Sequence, residues 1–226
     1  MPTTERPITS VLFDLDNTLI DRSEAFRRLF GHWYDTLSAP DRPPDREAFV
    51  SRMARYGIGY APIPEIYEDM LKVWLGSFPS LDAAAEAHFA LMPEMVGLHP
   101  NTEVMLKGFR ESGVPVGVVT NGGTETQWGK LRKTGIADLV TACVVSQEFG
   151  AWKPDPAVFN HALHLMGANA ESTLFVGDNS EHDILGAIGV GMRTAWMCLG
   201  REWEIESARP DYILNAVWEV EGLVSV

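Results

Sequence analysis

Short apolar runs rich in β-branched residues alternate along most of this chain with stretches of helical periodicity, and this alternation restricts the fold more than any other feature. The apolar runs are "ITSVLFDL", "VPVGVVT", "TACVVS", "STLFVGD", "RTAWMC" and "DYIL". The stretches between the later runs include "NTEVMLKGFRESG", "TETQWGKLRKTG", "DPAVFNHALHLMG", "SEHDILGAIGVG" and "AVWEVEGL". Runs of this kind suit strands buried on both faces. The pattern therefore predicts an α/β fold with a doubly wound, Rossmann-like parallel sheet and helices on both faces.

The interval from residue 20 to residue 95 has a different pattern. It contains long amphipathic segments rich in arginine and aromatic residues, a proline-rich break at "APDRPP" and no convincing strand. We therefore predict a helical insert at 20–95, placed between the first strand and the remainder of an α/β core that is formed by 1–19 and 96–226.

The composition limits the partners and the compartment. The formal net charge of -13 argues against nucleic acid or an anionic membrane as the main partner. Cys143 and Cys198 show no metal-ligand spacing, so we expect reduced thiols. The first ten residues lack an apolar signal core, and no later run is long enough to span a bilayer. We expect a cytoplasmic protein that is a monomer or a homodimer.

Polar side chains follow several of the predicted strands. Asp14 and Asp16 follow the first strand, Thr120 ends the second, and Asp178 follows "STLFVG". Ligands of doubly wound sheets bind at the carboxyl ends of the strands, so we expect these side chains to lie close together. Two aspartates one residue apart each make ionisation of the other more costly, and something must offset that repulsion.

Taken singly, four short stretches have ordinary alternatives. "DLDNT" could be a simple turn; as a calcium loop it lacks the glycine and the final glutamate, which are replaced by Leu19 and Ala25. "VVTNGGT" could be a hairpin or a loose P-loop, but Leu131 stands where a P-loop requires Ser or Thr. The lysine of "WKPDPAVF" alone would be a solvated charge, and "FVGDNSEHD" a helix-capping turn.

Together and in this order, the four stretches resemble the motif set of the haloacid dehalogenase superfamily of hydrolases. The set is Asp-x-Asp-x-Thr after the first strand, Thr-Asn-Gly after the second, then Lys-Pro, then Gly-Asp-x-x-x-x-Asp ending at Asp183. The insert is similar to the helical cap of that family. The sequence departs from the pattern at His182, where relatives often carry Asn, and at Trp152 before the lysine. Neither departure affects the residues that would do chemistry, although both could alter the wall of the pocket.

The resemblance implies a role for each motif residue. Asp14 would be the nucleophile that forms an aspartyl-phosphate, and Asp16 the general acid and base. Thr120 and Lys153 would hold the phosphoryl oxygens. Two backbone N–H groups would help them, those of Asn121 and Gly122.

The resemblance also implies a metal site. Asp14, Asp178 and the backbone carbonyl of Asp16 would bind Mg²⁺, which prefers oxygen ligands and would offset the repulsion between the neighbouring aspartates. Asp183 would lie outside the metal ligands and orient a metal-bound water or Lys153.

The function implied by the resemblance is a Mg²⁺-dependent phosphatase acting on a small-molecule phosphate ester. One alternative is a metal-independent 2-haloacid dehalogenase of the same superfamily, against which Asp16 counts because halide displacement needs no acid. A phosphomutase would need a phosphorylated activator. An alternative of another class is a noncatalytic binding or regulatory protein on the hydrolase fold.

Overall fold

The computed structural model describes residues 6–36, 42–57 and 80–225. The chain divides into two compact units, one made of Met1–Ile20 with Leu98–Val226 and the other of Asp21–Gly97. The insert segment "PEIYEDMLKVWLGSF" lies outside the described residues. Among the described helices, none combines the length and the apolar character that crossing a membrane requires.

The unit Asp21–Gly97 is helical in its described parts. Its helices are α1 (Arg22–Thr36), α2 (Arg46–Ala54) and α3 (Leu81–Met95), and a 3₁₀ turn at Arg55–Gly57 follows α2. Asp45 caps α2 by accepting a hydrogen bond from the N–H of Ala48. The aromatic side chains of Trp33 and Tyr34 are buried within this unit, so they pack in its core.

The other unit contains a parallel sheet. Its strands are β1 (Ser10–Phe13), β2 (Val116–Thr120), β3 (Ala142–Val145), β4 (Thr173–Gly177), β5 (Arg193–Met197) and β6 (Tyr212–Leu214). Their order is β3-β2-β1-β4-β5-β6, and every neighbouring pair is parallel. Every residue of β1, β2 and β4 is buried, as the continuous apolar runs predict. The predicted doubly wound α/β fold is confirmed.

Helices connect these strands. They are α4 (Pro100–Glu111), α5 (Thr124–Lys133), α6 (Ile136–Leu139), α7 (Ser146–Phe149), α8 (Pro156–Met166) and α9 (Gly186–Gly189). The predicted helix "SEHDILGAIGVG" begins as a π-helical turn, Ser180–Leu185, before α9. The predicted helix "AVWEVEGL" is a 3₁₀ helix, Val217–Gly222, because so short a segment loses little by winding more tightly.

The unit that contains the sheet has a buried core and a backbone bridge at the point where the insert begins and ends. On one face of the sheet, Val158 and Phe159 of α8 belong to a buried cluster with Leu12 and Phe175. Where the chain leaves this unit and returns to it, Ile20 and Leu98 form an antiparallel bridge.

Candidate active site

The candidate site lies at the carboxyl ends of three adjacent strands. β1 is flanked by β2 on one side and β4 on the other, so the strand order changes direction at β1. Asp14 follows β1, Thr120 ends β2 and Asp178 follows β4. Such a switch point is where doubly wound sheets bind ligands.

Lys153 joins two of the predicted site carboxylates. Its Nζ lies 2.6 Å from Asp14 Oδ1 and 2.7 Å from Asp183 Oδ1, and it donates to the carbonyl of Val119 at 2.9 Å. Only 3% of Lys153 is exposed. On the other side of Asp14, Thr18 Oγ1 donates to Oδ2 at 3.3 Å. The Asp14 carboxylate is therefore held at both oxygens.

Three buried carboxylates form an acidic cluster here. Oxygens of Asp14, Asp178 and Asp183 all lie within 4.8 Å of one another. Burial raises the pKa of Asp14; Lys153 lowers it, and Asp183 and Asp178 raise it further, so that the pKa moves from an ordinary 3.8 to about 8. Burial and the two neighbouring carboxylates therefore favour the neutral form of Asp14 when no metal ion is bound.

Gly177 and Asn179 hold Asp183 in the acidic cluster. A Cβ at Gly177 would lie 2.6 Å from Asp183 Cγ, so only glycine leaves room for this carboxylate. Asp183 Oδ2 accepts a hydrogen bond from the N–H of Asn179 at 2.9 Å. The Asn179 side chain in turn caps the π-helical turn by accepting from two N–H groups. The Gly-Asp-x-x-x-x-Asp motif therefore has a steric basis.

Asp178 is fixed through its backbone. Its carbonyl accepts hydrogen bonds from Trp196 Nε1 at 2.9 Å and from Arg201 Nη2 at 2.8 Å. The same Arg201 nitrogen lies 3.4 Å from Asp178 Oδ2, and its guanidinium lies 5.5 Å from the centre of the Trp196 ring. Sequence analysis did not identify Arg201, which precedes no recognisable motif.

The acidic cluster fits a hard divalent cation. Its three carboxylates lie close together, and the cations Lys153 and Arg201 contact them. Buried charges of one sign require a counter-ion, and oxygen donors are those that Mg²⁺ prefers. Asp183, which we predicted outside the metal ligands, has its carboxylate inside this cluster.

The Asp16 carboxylate has separate partners. Lys130 Nζ lies 2.8 Å from both of its oxygens. Gln127 Nε2 donates to Asp16 Oδ2 at 3.0 Å and also to Thr120 Oγ1. From the sequence we expected a metal ion to offset the repulsion between Asp14 and Asp16. Lys130 and Gln127, which also contact Asp16, were not identified. Their spacing of three residues on a predicted helix just after "TNGG" was the available signal.

The loop after β2 is held by side chains. Asn121 grips the backbone of Lys153, because its Nδ2 donates to the Lys153 carbonyl at 3.0 Å and its Oδ1 accepts from the Lys153 N–H at 2.8 Å. The N–H of Gly122 donates to Ser146 Oγ at 2.9 Å. The Gly122 N–H, which we predicted to contact phosphate, is therefore hydrogen-bonded to Ser146 in this structure. The Asn121 side chain positions Lys153.

Most of the chain matches a known protein family. The family described as "Haloacid dehalogenase-like hydrolase" matches residues 11–197, which include every predicted site residue from Asp14 to Asp183.

Similar proteins cover nearly the whole chain. A glyceraldehyde 3-phosphate phosphatase of Methanocaldococcus jannaschii is 29% identical over 224 residues, which are 96% of this chain and 97% of the relative. A pyrimidine 5'-nucleotidase of Escherichia coli is 28% identical, with 95% and 96% covered. Among solved structures, a HAD-hydrolase of Bacillus subtilis bound to magnesium has a TM-score of 0.73 at 21% identity and covers 98% of this chain and 100% of that one. The chain thus belongs to the haloacid dehalogenase-like hydrolases and is a phosphatase-type enzyme of that family.

Proposed function

We propose that this enzyme hydrolyses a small phosphomonoester through an aspartyl-phosphate on Asp14, with Mg²⁺ bound at the acidic cluster. One observation carries the proposal: the buried Asp14 carboxylate lies 2.6 Å from Lys153, beside two further carboxylates at the sheet's switch point. A carboxylate next to a phosphate-binding lysine is the arrangement that covalent phosphoryl transfer needs. The relatives' names support the ester class and differ in the ester.

The first step forms the covalent intermediate. A carboxylate oxygen of Asp14 attacks phosphorus, and the bond between phosphorus and the ester oxygen breaks. Asp16 enters this step protonated and donates its proton to that leaving oxygen, so the alcohol departs neutral, and Lys130 contacts the carboxylate that results. Lys153 and Thr120 balance the charge that develops on the other phosphoryl oxygens.

The second step releases phosphate. Asp16, now ionised, removes a proton from a water molecule that attacks the same phosphorus. The bond between phosphorus and the Asp14 oxygen breaks, and the carboxylate is restored together with the proton on Asp16. Mg²⁺, held by Asp14, Asp178 and the backbone carbonyl of Asp16, would neutralise and orient the phosphoryl group. Asp183, through its contact with Lys153, would keep that lysine in place.

The helical unit is proposed to act as the cap that contacts the rest of the ester. This unit contains a recess of about 260 Å³. It is lined by charged and hydroxyl side chains, which suit a polar substrate: Asp21, Ser23, Glu24, Arg27, Ser51 and Arg55.

The deciding experiment is a substrate screen. The purified protein is incubated with a panel of phosphorylated metabolites, an aryl phosphate and a 2-haloacid, in EDTA and in excess Mg²⁺, and the release of phosphate and of halide is measured. We expect turnover of at least one ester in Mg²⁺ and none in EDTA. Chelator-resistant release of halide from a 2-haloacid, without phosphatase activity, would instead support the dehalogenase alternative, and no turnover of any kind would support a noncatalytic role.

A matched control distinguishes the loss of the Asp14 carboxylate from the loss of any carboxylate on the protein. Glu111 is an exposed carboxylate at the end of α4. Glu111→Gln should keep the activity of the unchanged protein, whereas Asp14→Asn should abolish phosphate release from every ester of the panel.

A further inference from the structure

Two side chains of α5 are buried although their residue types are usually exposed. Gln127 and Lys130 lie one helical turn apart, and only 2% and 4% of them are exposed. A buried ammonium or amide group is stable only when it is paired. What these side chains pair with therefore identifies what they do.

Their common partner is the Asp16 carboxylate. Lys130 Nζ lies 2.8 Å from each of its oxygens, and Gln127 Nε2 contacts Oδ2 at 3.0 Å. A carboxylate held at both oxygens by one ammonium group, and at one of them by an amide as well, cannot rotate without breaking these contacts. Lys130 and Gln127 therefore fix the orientation of Asp16.

Gln127 extends this arrangement to β2. The nitrogen that contacts Asp16 also donates to Thr120 Oγ1, so one amide group joins the proposed acid/base to a proposed phosphate-binding hydroxyl. The glycine of the Thr-Asn-Gly motif makes this possible, because a Cβ at Gly122 would lie 2.7 Å from Gln127 Cγ. The motif glycine thus gives Gln127 its place.

We propose that Lys130 and Gln127 are positioning residues of the hydrolysis, which act by holding the Asp16 carboxylate where it can exchange a proton with the leaving oxygen. This inference rests on the proposed function. Proton transfer requires hydrogen-bond geometry between the acid and the reacting oxygen, and small misplacements of a reacting group are costly in rate. A carboxylate released from Lys130 would rotate, and its catalytic contribution would fall.

The test compares two esters that differ in their need for an acid. An alkyl phosphate has a poor leaving group and needs protonation, whereas the phenol of an activated aryl phosphate leaves with little help. We expect Lys130→Met to lower kcat on the alkyl ester about 10²-fold, and on the aryl ester much less, with KM nearly unchanged on both. Arg132→Met, which replaces an exposed cation of the same helix, should change neither.

A double-mutant cycle excludes a merely structural role. If Lys130 acts through Asp16, adding Lys130→Met to Asp16→Ala should cause no further loss of kcat on the alkyl ester. Equal losses on both esters without a burst of phenol from the aryl ester, or a full additional loss in the Asp16→Ala background, would overturn the inference. Wild-type protein that releases no phosphate from any ester would reject the proposed function itself.

A second variant keeps the test decisive if Lys130→Met does not fold, since removing one partner of a buried ion pair leaves the other unpaired. Gln127→Met removes an uncharged donor of similar length. We expect a smaller loss of kcat with the same preference for the aryl ester and a normal Tm. An unchanged ratio of the two kcat values would overturn the inference.

Discussion

Asp14 and Asp16 are one residue apart, yet their surroundings differ. Asp14 shares Lys153 with Asp183 and lies in a cluster of three carboxylates, whereas Lys130 contacts both oxygens of Asp16. The partners of Asp14 come from strand ends, loops and a π-helical turn, whereas Lys130 and Gln127, which contact Asp16, come from α5.

The difference teaches how one strand end can supply two functions. β1 ends at Phe13, so Asp14 and Asp16 lie beyond the strand where the chain turns, and each aspartate meets a different set of neighbours. An environment rich in negative charge suits a metal-bound nucleophile, whereas a carboxylate fixed by a lysine and an amide suits directed proton transfer. Separate environments for paired carboxylates commonly mark separate catalytic roles.

The largest effect should follow from changing Asp14. In Asp14→Asn the amide is a poor nucleophile and a weak metal ligand, so we expect kcat to fall by at least about 10³-fold, with the folded structure retained. Steady-state phosphate release and the circular dichroism spectrum measure the two quantities. A pure variant that keeps a tenth of the original kcat would remove Asp14 from the role of nucleophile.

The next largest effect should separate Asp16 from Asp14. Asp16→Ala should slow an alkyl ester by about 10² to 10⁴-fold and an activated aryl ester less, because the first step on the aryl ester needs little acid. Hydrolysis of the intermediate still lacks its base, so rapid-quench experiments on the aryl ester should show a burst of phenol. Equal losses without a burst would mean that Asp16 only shapes the metal site.

The sheet and the residues around Asp14 could be predicted from the sequence, whereas the side chains that contact Asp16 could not. β1 and β4 are buried on both faces, so each appears in the sequence as a continuous apolar run. An aspartate follows each run, Asp14 after β1 and Asp178 after β4. For Gln127 and Lys130 the only signal was their spacing of three residues on a predicted helix, and any amphipathic helix shares it, so their contact with Asp16 was not predicted. Only packing brings them to Asp16, which is 111 and 114 residues away along the chain.

Metal binding should depend on the Asp14 side of the comparison. Mg²⁺ at a hundred times its Kd should stabilise the folded protein by about 2.7 kcal/mol, which thermal unfolding with and without the ion measures. Asp178→Asn should abolish most of this increase in Tm, whereas Lys130→Met should leave it largely intact. The reverse pattern would place the ion beside Asp16.

The smallest expected effect concerns pH in metal-free protein. Because the pKa of Asp14 is raised from 3.8 to about 8, the folded chain holds this proton more tightly than the unfolded chain. The stability contributed by this group is fully present below pH 3.8 and is lost as the pH rises through about 8.

Replacing Asp14 should remove this pH dependence. In EDTA at a pH above the raised pKa, we expect Asp14→Asn to be more stable than the unchanged protein, and the difference to vanish near pH 4. Urea unfolding at a series of pH values gives the comparison, with Glu111→Gln as the control. A constant difference across the series would contradict the raised pKa.

The bridge between Ile20 and Leu98 has a consequence for how this enzyme can diversify. These residues flank 21–97, so the bridge already holds together the two points at which the chain leaves the sheet unit and returns to it. Even for a flexible loop, each doubling of length costs only about 0.6 kcal/mol in closure entropy. The insert can therefore be lengthened, shortened or replaced as a whole, while the acidic cluster and the helix that holds Asp16 keep their positions in the sheet unit.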